Sequence, residues 1–431
     1  MSNFWKFIYN IILIPLLYIA YKVYALFNSK ARDGINGRKG LFDILSKQVP
    51  IGSEERRDLP VVWFHCASVG EFEQARPIIS MIKNKARIFV TFFSPSAYNL
   101  LAKYQNADLV SYLPFDTKKN ASKMFDLINP SIFIFVKFDI WANYVWEAGK
   151  RNIPIILADA TLHEKSKRLS PIIRSFMRSI HKYINIHCAI SESDAQRLRL
   201  LCPDGARIEV MGDTRFDQVI ARKNSAGRKL EGLLPYFEEP VVIAGSTYTE
   251  DEVVVIEAYR KVLQNWGKIQ LILVPHEPEP ERLEEIEKLM TENKVPCMRL
   301  VELEKGRTHY GEVIIVDRVG VLAELYMLAD ITFIGGSFHG SVHNVMEPAI
   351  MGSPVLFGPT IHNSLEAFML MDIGSGIMVK DSDEMASELI RLLENTNLRE
   401  RLGKSAQILI EENAGATERI VTCIDELLMQ K

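Results

Sequence analysis

The stretch HCASVGEFEQARP, residues 65–77, places a glutamate three positions beyond a serine. The run VVWF precedes it, so a buried strand ends there and a helix opens near Glu71. In the first helical turn the peptide dipoles favour a negative charge, and Glu71 can simply hold the helix end. A carboxylate within hydrogen-bond reach of a sugar hydroxyl can instead take its proton as a general base. Position alone leaves both roles open. Ser68 and Gly70 suit the turn, and Gly70 lets a ligand approach the backbone.

A second concentration of chemistry is GGSFHGSVHNVMEPAIMGSPVLFGP, residues 335–359. Gly335, Gly336 and Gly340 are expected to leave backbone N–H groups open, an anion site at the start of a helix. Asn344 and Glu347 have the spacing of a capping pair, and Pro348 suits a first helical position. The functional reading, which the convergence of glycines, histidines and a carboxylate favours, has Glu347 accepting from a ribose diol and the phosphate on the Gly-rich backbone. The glycine spacing is not G-x-G-x-x-G, so a nucleotide-sugar donor fits better than a dinucleotide cofactor. In AGSTYTEDE (244–252), Ser246 and Thr247 close a strand, where hydroxyls cap a helix or hold a phosphate. His276 ends the strand in VPHEPEPERL (274–283), and a lone histidine there is more often structural than catalytic. H-E-x-x-H is absent and Asp-x-Asp occurs once, at 381–383, apart from these motifs, so no metal is expected in the chemistry.

These residues need elements to hold them. Short apolar runs recur at 61–66, 87–93, 131–138, 153–160, 186–191 and 207–212, then at 240–246, 269–275, 312–317, 331–337 and 353–359. Charged segments of helical period lie between, the clearest over 249–266. Such alternation predicts an α/β protein with two doubly wound parallel sheets. The expected domains are 31–217 and 239–431, joined by a polar linker at 218–238, with the last helix able to pack back on the first domain. Ligands are expected beyond the carboxyl ends of the strands, in a cleft between the domains.

Residues 1–30 read as a membrane anchor. FIYNIILIPLLYIAY (7–21) has no charge and is flanked by Trp5, Tyr24 and Phe27. As a helix it is about 22 Å long at ~1.5 Å per residue. A hydrocarbon core is about 30 Å thick, so it spans only with the segment past Lys22 and otherwise lies partly immersed. Lys30, Arg32, Arg38 and Lys39 follow and place the rest of the chain in the cytoplasm, with residues 28–60 as a polar tether. The 431 residues carry a net charge of −3 with no long basic run, which argues against nucleic acid as partner. Five cysteines, none spaced C-x-x-C, argue against a disulfide framework or a structural zinc site and read as buried small hydrophobes in a reducing compartment.

Taken in order, WFHCASVGEFEQARP, YLPFD (112–116), GDTRFD (212–217), AGST with EDE, VPHEPE, GGSFHGSVHNVMEPA and SPVLFGP resemble the 3-deoxy-D-manno-octulosonic acid (Kdo) transferases of lipopolysaccharide synthesis. The likeness runs from the N-terminal anchor to about residue 400. It implies a GT-B fold, a CMP-Kdo donor, a lipid A precursor (lipid IVA) as acceptor, and inversion at the anomeric carbon without metal or cofactor. It implies Glu71 as catalytic base. The implied donor-binding residues are Arg215, Ser246, Thr247, Pro275, His276, Gly320, Gly336, Ser337, Gly340, Asn344 and Glu347. On the acceptor side it implies Ser68, Gly70, Lys137 and Asp139, at the inner-membrane surface on its cytoplasmic face. Lys118, Lys119, Lys165, Lys167, Arg168, Arg174 and Arg178 are candidates for a basic rim there. The chain departs from the family at VKFDIWAN (136–143), where Lys137 replaces one carboxylate and Asp139 approximates another. It departs again at DATL (159–162), where members read NARL, and at His276, where they often have arginine. The alternative is a GT-B enzyme acting on another nucleotide sugar.

Overall fold

The computed structural model describes residues 2–49, 56–226, 239–306 and 313–430. Two parallel seven-stranded sheets carry the chain. The first holds β1 (Val61–Cys66), β2 (Arg87–Phe92), β3 (Leu109–Tyr112), β4 (Ile132–Val136), β5 (Ile155–Ala160), β6 (Ile186–Ala189) and β7 (Ile208–Val210), in the order β3-β2-β1-β4-β5-β6-β7. The second holds β8 (Val241–Thr247), β9 (Gln270–Pro275), β10 (Cys297–Arg299), β11 (Val313–Ile315), β12 (Ile331–Ile334), β13 (Val355–Phe357) and β14 (Gly376–Met378), in the order β10-β11-β9-β8-β12-β13-β14. Each sheet reverses its winding beside its first strand, between β1 and β4 and between β8 and β12. At such a switch point the loops diverge and leave a crevice beyond the carboxyl ends.

The continuous apolar runs become central strands because both faces are covered: every residue of β1, β4 and β5 is buried. Trp63 stacks on Phe133 across the β1–β4 pair at 4.3 Å between ring centroids. Three strands escaped the sequence reading, β3, β10 and β14. Each has three or four residues and lies at a sheet edge, too short to make an apolar run.

The chain forms two units, Met1–Gln218 with Ala414–Lys431, and Val219–Asn413. The first part of the expected linker is helical, in Thr214–Ala226, and residues 227–238 lie outside the described residues. The expected tether at 28–60 contains two helices, Ser29–Asn36 and Leu41–Gln48, the first capped by Asn28 Oδ1 on the Ala31 N–H at 2.9 Å; residues 50–55 of it lie outside the described residues. The final helix, Ala416–Met429, sets Ile420, Ile424 and Leu427 into the same apolar cluster as Ile78 and Ile79 of the helix Val69–Ile82. Asp217 caps it, accepting from Gly415 N–H at 2.6 Å, Thr417 N–H at 2.8 Å and the Thr417 hydroxyl at 2.9 Å.

The N-terminal helix runs unbroken from Asn3 to Phe27, long and apolar enough to cross a membrane by length and composition. Its turn Tyr9–Leu13 is widened, with Ile14 N–H bonded to the Tyr9 carbonyl. Pro15 follows, lacks an N–H and crowds the carbonyl four residues back, which accounts for the widening. One side packs on the first unit: Trp5 Nε1 donates to Ser175 Oγ at 3.1 Å, and the rings of Tyr18 and Phe115 meet at 4.9 Å. Phe4, Leu16, Leu26 and Phe27 face outward.

Removing the Asp217 cap has a measurable cost. D217A should lower the stability of the first unit by about 1–3 kcal/mol, seen as an earlier denaturation midpoint. An unchanged midpoint contradicts the capping role.

Candidate active site

The turn after β1 places Glu71. Ser68 is the N-cap of the helix Val69–Ile82, in extended backbone, and its Oγ accepts from Glu71 N–H at 3.4 Å. Glu71 is therefore the third helical residue, and its carboxylate folds back to accept the Ala67 N–H. Gly70 is helical, and a Cβ there would meet only Ser68 Oγ, at 3.9 Å, so its side of the turn is open. Glu71 is 7% exposed. Burial pushes its pKa up and the Ala67 N–H opposes this; Asp139 raises it further, while His65 and Lys137 lower it. A carboxylate made more basic in this way suits proton abstraction near neutral pH.

The loop after β4 brings the other charges. Lys137 has φ 68°, in the left-handed region that costs a lysine about 1 kcal/mol or more, and its N–H bonds to the Ala158 carbonyl at 2.8 Å. Asp139 Oδ2 accepts from Trp141 Nε1 at 3.1 Å and lies 3.8 Å from His65 Nε2. Burial would raise the Asp139 pKa, but His65, Trp141 and Arg168 outweigh it and hold it low. Near neutral pH Asp139 is thus a fixed anion. His65, which the sequence reading passed over, is anchored through Nδ1 at 3.1 Å from both Thr91 Oγ1 and the Thr91 carbonyl. Its only signal was its place at the end of β1.

Arg215 lies in this first unit. Its Nε and a terminal nitrogen donate to Asp213 Oδ2 at 2.8 and 2.6 Å. Beside this pair sits Asp159, fully buried with φ 48°. Burial first and then Asp213 push its pKa up, so it holds its proton. The hydrogen bonds require the same. Thr214 Oγ1 lies 2.8 Å from the Gln74 carbonyl and 2.8 Å from Asp159 Oδ2, and one hydroxyl has a single proton to give. That proton goes to the carbonyl, which only accepts, so Asp159 donates to Thr214.

In the second unit, Ser246, Thr247, Pro275, His276, Gly336 and Ser337 gather where β8, β9 and β12 end. Ser246 has φ 56° at a register shift between β8 and β9. The open N–H groups expected of the glycine loop are engaged. Asp251, fully buried, accepts from Gly336 N–H at 2.7 Å, Tyr248 N–H at 2.9 Å and Phe338 N–H at 3.1 Å. Gly335 N–H bonds to the Gly245 carbonyl at 2.9 Å and Gly340 N–H to the Gly336 carbonyl at 2.8 Å. The glycines are needed for shape, since Gly336 has φ 83° with the Ser341 carbonyl against it.

Two hydroxyls are also committed internally. Thr247 donates to Glu252 at 2.9 Å, and Ser337 donates to the Ile334 carbonyl at 3.0 Å while accepting from Gly358 N–H at 2.7 Å. Asn344 Oδ1 caps Met346 N–H at 3.0 Å, and the helix starts at Met346, so Pro348 is its third residue rather than its first. Glu347 pairs with Arg222. Gly320 lies apart in an exposed turn with φ 84° and nothing within 4 Å of an added Cβ.

Four rings stack beside the loop. Tyr248 lies 4.3 Å from His339 and 5.6 Å from His343, and His276 lies 4.4 Å from His343. Burial, then His276 and His339, push the His343 pKa down to about 4, so it is neutral at physiological pH. The sequence names His276 and groups the loop histidines with the glycines, but not the stack itself, because the rings come from three separate loops.

The family model for 3-deoxy-D-manno-octulosonic-acid transferase (kdotransferase) matches residues 39–218. A 3-deoxy-D-manno-octulosonic acid transferase of Haemophilus influenzae is 25% identical over 98% of this chain and 99% of its own length. One from Aquifex aeolicus is 28% identical over 77% of this chain and 86% of its own. The crystal structure of UDP-GlcNAc 2-epimerase from Neisseria meningitidis superposes with a TM-score of 0.60 at 14% identity, covering 86% of this chain and all of that one. That likeness concerns the fold, two Rossmann-like domains of the GT-B kind. Residues 39–218 thus match a Kdo transferase domain, and the chain is similar over most of its length to 3-deoxy-D-manno-octulosonic acid transferases.

Proposed function

We propose that the protein transfers Kdo from CMP-Kdo to a lipid A precursor, lipid IVA, with inversion at the anomeric carbon and without a metal ion in the chemistry. The observation that carries this reading is Glu71: a buried carboxylate of raised pKa at the first sheet's switch point, beside Lys137, Asp139 and His65. Glu71 takes the proton of a glucosamine hydroxyl, the freed oxygen attacks the Kdo anomeric carbon, and CMP leaves. Lys137 faces anionic groups of the incoming sugars, and Asp139 orients His65 and Trp141. In the second unit, Asp251 holds the glycine loop in shape, and the Tyr248 and histidine rings offer a flat face to the cytosine.

The proposed acceptor carries acyl chains, and a groove in the first unit supports that reading. A groove of about 800 Å³ between the N-terminal helix and the body is lined by Ile14, Tyr18, Tyr21, Phe42 and Phe115, with Lys22 and Lys39 at its polar side. Trp5, Tyr9, Tyr18 and Tyr21 all contact the body along the helix. That favours a helix lying in the cytoplasmic face of the inner membrane, outward face immersed, over one crossing it. Lys118, Lys119, Lys165, Lys167 and Arg178 are exposed and supply charge for anionic lipid, while Arg168 and Arg174 are half-buried.

The test is incubation of the purified protein with CMP-Kdo and a tetraacyl disaccharide precursor, read as lipid mass. Wild type should add Kdo. E71Q should lose roughly 10²–10⁴-fold in rate with CMP affinity unchanged; equal rates leave Glu71 as a helix cap alone. D251N replaces an acceptor oxygen by an amide donor facing N–H groups. It should weaken CMP binding by roughly ten- to a hundredfold in calorimetry, and unchanged affinity would separate the loop from the donor.

A further inference from the structure

Three side chains that the transfer chemistry does not use converge inside the first unit. His181 ends the helix Pro171–His181, His187 lies in β6, and Cys202 follows the helix Glu192–Leu201. They are 1%, 0% and 1% exposed. His181 Nδ1 and His187 Nε2 are 2.9 Å apart, and Cys202 Sγ lies 3.7 Å from the first and 3.4 Å from the second. The two rings stack at 5.1 Å with 13° between their planes.

A triangle with these edges holds an ion about 2 Å from each corner, the length of a metal–imidazole bond and slightly under a metal–thiolate bond. The outer nitrogens fit that arrangement. His187 Nδ1 faces the Arg207 carbonyl at 3.4 Å, which places its proton there and turns the Nε2 lone pair to the centre. His181 Nε2 is buried without a hydrogen-bond partner, so it can carry the proton and leave Nδ1 as a ligand.

We propose that His181, His187 and Cys202 bind one thiophilic d10 cation, Cu(I) or Zn(II), through two imidazole nitrogens and a thiolate. On binding, the Cys202 thiol proton passes to solvent, the proton that His181 Nδ1 shares with His187 Nε2 at 2.9 Å moves to His181 Nε2, one metal–sulfur and two metal–nitrogen bonds form, and no redox change is needed. Charge separates the two ions. Cu(I) with one thiolate is neutral, whereas Zn(II) leaves a positive charge in an apolar interior. No carboxylate joins the cluster among the described residues. Three-fold coordination with a soft ligand also suits Cu(I), so copper is the better match. The ion would tie two helix ends to β6, away from the transfer site.

The test uses the full chain in detergent under anaerobic conditions, titrated with Cu(I) against a chromogenic chelator and separately with Zn(II). One equivalent of Cu(I) should bind, with a thiolate-to-metal absorption band in the ultraviolet and a higher melting temperature. C202S should abolish the band and weaken binding at least tenfold, while C297S, in β10, should keep both. C202A provides a second check, since its melting temperature should no longer respond to the metal. Stoichiometric Zn(II) with no Cu(I) would assign the site to zinc. Binding no tighter than in C202S, or a band that survives in C202S, would overturn the site.

Discussion

A carboxylate at the third position of the helix after the first strand organises each sheet's switch point. Glu71 occupies that position after β1 and Asp251 after β8. Burial pushes both pKa values up, and backbone N–H groups oppose this in both. The difference lies in how many donors each receives. Asp251 takes three N–H groups from two loops and becomes part of the backbone framework. Glu71 takes the single N–H of Ala67. One device therefore gives a structural strut in the second unit and, in the first, a carboxylate with acceptor capacity left over. On the function proposed above, helix cap and base are two uses of the same group, and the cap would hold the base in place.

The central strands were legible because a parallel strand buried on both faces must be a continuous apolar run. Three of the four edge strands, β3, β10 and β14, were not, because three or four residues at an edge need no such run. The family likeness was carried by motifs spread along the whole chain. The glycine loop was misread in one respect. Its N–H groups looked open because Asp251 lies 85 residues before Gly336, a pairing visible only once β8 and β12 are neighbours. The histidine–tyrosine stack and the pair of Asp159 with Asp213 were hidden for the same reason.

The departures from the family pattern acquire a physical sense. A protonated Asp159 donates from one oxygen and accepts Thr214 N–H at 2.9 Å on the other, which is what an asparagine amide does at that place. The carboxylate lost at Lys137 leaves Asp139 as the fixed anion of the loop, held by His65 and Trp141. At the N-terminus, Pro15 widens one helical turn without breaking the helix, and the aromatic side chains keep one face on the body. Together they place an apolar face on the first unit.

The central claim, that Glu71 is a base of raised pKa, is tested most directly by the pH dependence of kcat/KM for Kdo transfer. A base works only when ionised, so the rate should climb as pH rises through the Glu71 pKa and fall away below it. The account predicts an inflection above the ordinary glutamate range, and its loss from the residual activity of E71Q. An inflection at the ordinary glutamate value, or the same profile in E71Q, would contradict it.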